Sequence, residues 1–160
     1  MKVGFGGGCH WCTEGIYLQL RGVREVKQGW IRSNGDNSSF SEAVVVDFDE
    51  QQISLETLCH VHFLTHSSTV NHKLRDKYRS AIYFNSQDQV EALEIIRSAY
   101  NEANRVNLIT KILCLEEFKI NIEKYQNYYG KNHGSPFCER YIEPKLEIIL
   151  LKYGENFFKT

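Results

Sequence analysis

Three consecutive glycines that run into a cysteine constrain this chain more than any other stretch. They sit in Gly4-Phe5-Gly6-Gly7-Gly8-Cys9-His10-Trp11-Cys12-Thr13-Glu14. Val3 and Phe5 read as the end of a short apolar strand, and glycines let the backbone turn through angles closed to other residues. Cys12, Ile16 and Leu20 then recur four apart, which predicts a helix with Cys9 at its N-terminus. A sulfur there meets unpaired N–H groups and the positive end of the helix dipole, and both favour a thiolate. Cys12, one helical turn on, is close enough for a disulfide with little backbone movement. Two other readings compete with this reactive pair. Gly4 and Gly6 could open a dinucleotide fingerprint, but Cys9 stands where its third glycine belongs. Cys9 and Cys12 could be half a zinc site, but no second pair of ligands follows at the usual distance.

The 160 residues suit one domain, 1–160, with room for a core, and 42% of them are apolar. Lys and Arg number 19 against 20 Asp and Glu, a formal charge of −1, so neither nucleic acid nor an anionic membrane is an expected partner. Met1 leads directly into a strand, so neither a signal peptide nor a membrane span is expected. The expected compartment is cytoplasmic, where thiols stay reduced. Five cysteines with one close pair fit redox chemistry better than a disulfide framework.

Strands are predicted over Val23–Ile31, Ser41–Phe48, Arg79–Phe84 and Leu108–Leu115. Asn34-Gly35 marks the turn between the first two. Ser54 can cap a helix carrying Leu55, Leu58 and Cys59, and Ser86 with Gln89 forms a capping box for one carrying Val90, Leu93, Ile96, Tyr100 and Ala103. A short tyrosine-rich helix is expected over Ile122–Tyr129, and Pro144 opens a last helix. The order β-α-β-β-α-β-α-β, then helices, predicts an α+β protein. Its expected form is a ferredoxin-like α/β sandwich: a mixed or antiparallel sheet covered by helices, with additional C-terminal helices.

Glu42 shares a strand face with Val44, Val46 and Phe48. A carboxyl on an apolar face is costly to ionise, which raises its pKa and suits a general acid. Glu42 at a strand end reached by solvent is the other reading.

Gly7-Gly8-Cys9-His10-Trp11-Cys12-x-Glu14 resembles the active-site signature of the A-class peptide methionine sulfoxide reductases. Phe40-Ser41-Glu42 before the valine strand resembles the segment with the family's catalytic glutamate, and Tyr78-Arg79-Ser80-Ala81-Ile82 the segment with a substrate-binding tyrosine. Ile122-Glu123-Lys124-Tyr125-Gln126 is a weaker echo of a C-terminal segment. The family's phenylalanine beside the nucleophile is His10 here, an aspartate before the tyrosine is Lys73 with Asp76 nearby, and the loop before the glutamate is shorter.

The resemblance implies reduction of the S epimer of methionine sulfoxide, free or in oxidised proteins, with no metal and no bound cofactor. Cys9 as thiolate would attack the sulfoxide sulfur, Glu42 would protonate the oxygen and Tyr78 would hydrogen-bond it. Trp11 and His10 would wall the S-methyl group. The Cys9 sulfenic acid would be resolved by Cys12, first choice, or by Cys138 on a mobile loop, and a thioredoxin-like donor would reduce the disulfide. Cys59 and Cys114 read as packed thiols, and His60, His62 and His66 as packed or surface side chains. Tyr125, Tyr128 and Tyr129 read as packing that could also line the cleft. A general thiol–disulfide oxidoreductase using Cys9 and Cys12 is the alternative enzyme. A weakened binder of oxidised methionine, suggested by His10 and Lys73, is the alternative without turnover.

Overall fold

A computed structural model describes residues 1–160. β1 (Lys2–Gly6), α1 (His10–Leu18), β2 (Val23–Arg32), β3 (Ser41–Phe48), α2 (Leu55–Thr65) and β4 (Ala81–Phe84) follow one another in that order. In space these strands lie β4-β1-β3-β2, every neighbour antiparallel, which is the ferredoxin-like split βαβ arrangement. α3 (Gln89–Asn104) supplies the crossover that a parallel neighbour requires, and β5 (Lys111–Cys114) lies parallel to β4. β6 (Glu117–Ile120) closes the other edge, antiparallel to β2. The result is a six-stranded mixed sheet in an α+β fold, as the element order predicts.

Alternation along the strands decides where the core lies. Val44, Val46 and Phe48 of β3 pack with Val3 and Phe5 of β1 against Ile16 and Tyr17 of α1, Leu58 and Val61 of α2 and Leu93 of α3. Ile31, Ala43, Ala81 and Tyr83 form a smaller cluster with half-buried Val45, Leu113, Leu115 and Phe118, and no helical residue belongs to it. The helices therefore cover one face of the sheet. Ser54 accepts the Thr57 amide at 3.1 Å and caps α2, a contact of about 1 kcal/mol. The box at α3 is half formed. Gln89 Oε1 accepts the Ser86 amide, while Ser86 Oγ accepts from Asp88 instead of Gln89.

The C-terminal third departs most from expectation. β6 is unexpected because four alternating residues are too short to stand out, and it pairs where Gly29 lets it approach. A Cβ at Gly29 would lie 2.1 Å from the Lys119 carbonyl oxygen. The helix expected over Ile122–Tyr129 is instead a 3-10 turn at Glu123–Tyr125, then α4 (Tyr128–Lys131), separated by Asn127 in the left-handed region at φ +53°. A π-helical turn at Cys138–Ile142 leads into α5 (Glu143–Tyr153), which Pro144 opens. No helix is long and apolar enough to cross a membrane.

Candidate active site

β1 delivers the chain to Gly7 at the sheet end, and α1 begins at His10 with Cys9 as its N-cap. Only Gly7 of the three glycines has a positive φ, and a Cβ on it would lie 2.5 Å from the His66 ring. Gly8 faces open space, with only Lys145 Nζ within 4.0 Å of where a Cβ would sit. The turn thus needs glycine at Gly7 for close approach, and at Gly8 a bare backbone borders the cleft.

The Cys9 thiol is held below its ordinary pKa, first by the Cys12 S–H donating to it, and further by the Trp11 and Cys12 backbone N–H groups. Burial and the nearby Glu42 charge oppose this. Cys12 is pushed the other way, because its hydrogen is engaged with Cys9 and it is buried. One sulfur is therefore readied as the nucleophile, and the other stays a thiol one turn away.

Both sulfurs line a cleft of about 900 Å³. Gly7, Gly8, His66, Tyr78, Phe137, Tyr141 and Lys145 are among its lining residues. Glu42, His10 and Trp11 are not among its lining residues. Glu42 is 8% exposed. Its Oε1 accepts the His10 amide at 3.2 Å, and its Oε2 lies 3.7 Å from Lys77 Nζ. The solvent-reached strand end is thereby ruled out for Glu42. Lys77 Nζ also sits over the Tyr78 ring, 5.1 Å from its centre. His10 is buried and turned inward, with Nδ1 at 2.7 Å from the Gly29 carbonyl. Burial holds its pKa below the usual imidazole value. Trp11 is half-buried, stacked on Tyr128 at 4.1 Å and 8° and on Tyr125 at 5.4 Å. The expectation that His10 and Trp11 wall a methyl pocket is not met in this arrangement, because each ring is occupied elsewhere.

Cys138 is corrected too. It opens the π-helical turn, is fully buried, and packs with Cys12, Tyr129 and Ile142 against half-buried Cys9. It already belongs to the sulfur cluster and does not sit on a mobile loop. Cys59 is buried among α2 contacts, and Cys114 is half-buried on β5.

Arg75, Lys145 and Phe137 escaped sequence reasoning, and Glu14 entered it only as the last residue of the family signature. Arg75 NH1 donates to the Gly7 carbonyl at 2.9 Å and to the Tyr78 carbonyl at 3.0 Å, tying both sides of the cleft together. Glu14 is buried and accepts the Asn127 and Tyr128 amides at 2.9 and 3.1 Å, which sets Tyr128 against Trp11. Lys145 and Phe137 come from segments whose sequence signals only helix or turn. Glu14 did carry a signal: an acid on the helix's buried side four residues before Leu18.

A low-pKa cysteine at a helix N-terminus, a thiol one turn on and a cleft over both define a thiol-based oxidoreductase on an α+β scaffold. Comparison with known proteins gives the family. Residues 1–156 match the family model described as peptide methionine sulfoxide reductase. The chain is 32% identical to a peptide methionine sulfoxide reductase of Acinetobacter baumannii, over 93% of each chain, and 33% identical to one of Trichodesmium erythraeum, over 89% of each. Among solved structures it resembles reduced Mxr1 from Saccharomyces cerevisiae, with TM-score 0.72, 22% identity and 88% and 90% coverage. It also resembles methionine sulfoxide reductase A of Corynebacterium diphtheriae, with TM-score 0.68, 22% identity and 82% and 74% coverage. The chain belongs to the peptide methionine sulfoxide reductase family, which are oxidoreductases.

Proposed function

We propose that the Cys9 thiolate reduces the S epimer of methionine sulfoxide, with residues 1–160 acting as one catalytic unit. The observation that carries this is the Cys9–Cys12 pair at the head of α1, one thiol lowered by the other, opening on a cleft lined by Tyr78. Cys9 attacks the sulfoxide sulfur. The oxygen takes a proton from Glu42, aided by a hydrogen bond from Tyr78, and passes as hydroxyl to the Cys9 sulfur. The substrate leaves as sulfide, reduced by two electrons, and Cys9 becomes a sulfenic acid. Cys12 then attacks Cys9, an S–S bond forms, and the departing hydroxide takes the Cys12 proton to leave as water. Cys138, in the same cluster, is the second candidate for that step.

For substrate to reach the face of Trp11 that Tyr128 covers, Tyr128 has to swing off it. The His10 and Trp11 wall is retained only for that opened form. The reductant proposed is thioredoxin-like, and a solved complex of yeast Mxr1 with Trx2, TM-score 0.57, shows the same fold engaged by such a protein. Cytoplasmic localisation follows from this need for a reducing partner.

The test is turnover of a peptide methionine sulfoxide with dithiothreitol as donor. Wild-type protein is expected to consume the S epimer and Cys9→Ser to consume none. Equal rates for the two overturn the proposal. Reduction of an ordinary protein disulfide that is insensitive to Glu42→Gln would favour the general oxidoreductase.

A further inference from the structure

We propose that His10 is a positioning residue that holds the proton of Glu42: the two side chains bind one proton between them, and His10 keeps that carboxyl loaded for delivery to the sulfoxide oxygen. This rests on the reading of Glu42 as general acid. His10 Nδ1 lies 2.7 Å from the Gly29 carbonyl oxygen. A carbonyl can only accept, so Nδ1 carries the hydrogen and Nε2 of the neutral ring presents a lone pair. That lone pair faces Glu42 Oε1 at 3.4 Å, with both side chains nearly closed to water. A bare lone pair against a bare carboxylate is repulsive, and one added proton turns the contact into an attraction. The His10 backbone amide also donates to Oε1, at 3.2 Å, so one residue addresses the same oxygen twice.

Several elements pack around the pair. Gly29 on β2 fixes the ring, and Trp30 beside it packs edge-on at 5.2 Å with Lys119 of β6 over its far side. Lys77 of the loop before β4 reaches Oε2 at 3.7 Å, and the Cys9 thiol lies on the cleft side. No further acid meets the ring. Burial disfavours a full imidazolium, so the proposed pair holds its proton in the hydrogen bond between the two side chains and not as an imidazolium ion. The balance closes over a cycle. Cys9 loses its proton on becoming a thiolate, the pair takes it up, and Glu42 returns it to the sulfoxide oxygen.

Two measurements test this. The first is single-turnover sulfoxide reduction against pH for wild type, His10→Phe and His10→Gln. His10→Phe keeps the shape and removes the ring acceptor. It is expected to lower the rate about tenfold or more and to move the alkaline limb acidward by about one pH unit. His10→Gln, whose amide oxygen can accept, is expected to recover part of that shift. Matching pH profiles for wild type and both variants, or a loss uniform across pH, overturn the proposal.

The second is the pH titration of the His10 ring nitrogens by NMR in reduced wild type and Glu42→Gln, without substrate. Glu42→Gln is expected to keep the Nδ1–H tautomer and lower the His10 transition by about one pH unit, because the acid that shared its proton is gone. An unmoved transition overturns the proposal whatever the enzyme reduces. A moved transition in a protein without sulfoxide turnover supports the pair and refutes only the proposed function.

Discussion

Cys12 donates its S–H to Cys9 from one helical turn away, so each thiol sets the ionisation of the other. Removing the donor should therefore raise the Cys9 pKa. Cys12→Ala is expected to slow iodoacetamide alkylation of Cys9 at pH 7 by about threefold to tenfold and to move its pH midpoint upward. Cys12→Ser keeps a donor and should fall between. A Cys12→Ala profile that overlays wild type would leave the helix N-terminus as the sole cause of the lowered pKa.

One equivalent of methionine sulfoxide should consume two thiols, and peptide mapping should place the bridge between Cys9 and Cys12. Cys138→Ser is expected to leave that count unchanged, because Cys138 is fully buried within a helical turn and has to unwind to exchange. In Cys12→Ser the bridge should move to Cys9–Cys138, more slowly, since both already lie in one apolar cluster. A Cys9–Cys138 bridge in wild type would reverse the order of the two candidates.

Glu14 binds two amides at once, which glutamine cannot copy. One amide of Asn127 or Tyr128 would lose its acceptor in Glu14→Gln, at a cost of about 1–3 kcal/mol in urea denaturation. The same variant should free Tyr128 from Trp11, read as a change in Trp fluorescence and in KM more than kcat. Stability equal to wild type would mean that another contact holds Tyr128.

Burial lowers the His66 pKa from 6.5 to about 4 and holds His62 lower than the usual imidazole value. Both are neutral in the fold, and the unfolded chain binds protons first as pH falls. Their contribution is therefore complete above pH 6.5 and is lost on acidification toward pH 4. For His66 this amounts to at most about 3 kcal/mol. Urea midpoints should fall between pH 7 and pH 5, and His66→Gln, which can still meet Ser80, should flatten that slope. Parallel slopes would locate the acid sensitivity elsewhere.

The first half of the fold was legible because its signals are local. The period of α1, the valine run of β3 and the cap at Ser54 each lie within a few residues, and Cys9 at a helix start follows from them. β6 and the break at Asn127 were not legible. They depend on Gly29 and Gln28 nearly a hundred residues earlier, whose side of the pairing carries no local mark. At the site, the types of residue could be read but not the direction each one faces. His10 and Trp11 stand beside the nucleophile in sequence, yet one turns to Gly29 and the other beneath Tyr128. Arg75 was invisible because carbonyl acceptors, unlike side chains, leave no trace in the letters.

The cleft is lined both by Gly7 and Gly8 and by Phe137, Tyr141 and Lys145. A ribosome builds these in sequence order, so the nucleophilic sulfur is made long before its shelter. While the chain between them is being made, the thiol is present without the walls that make it selective.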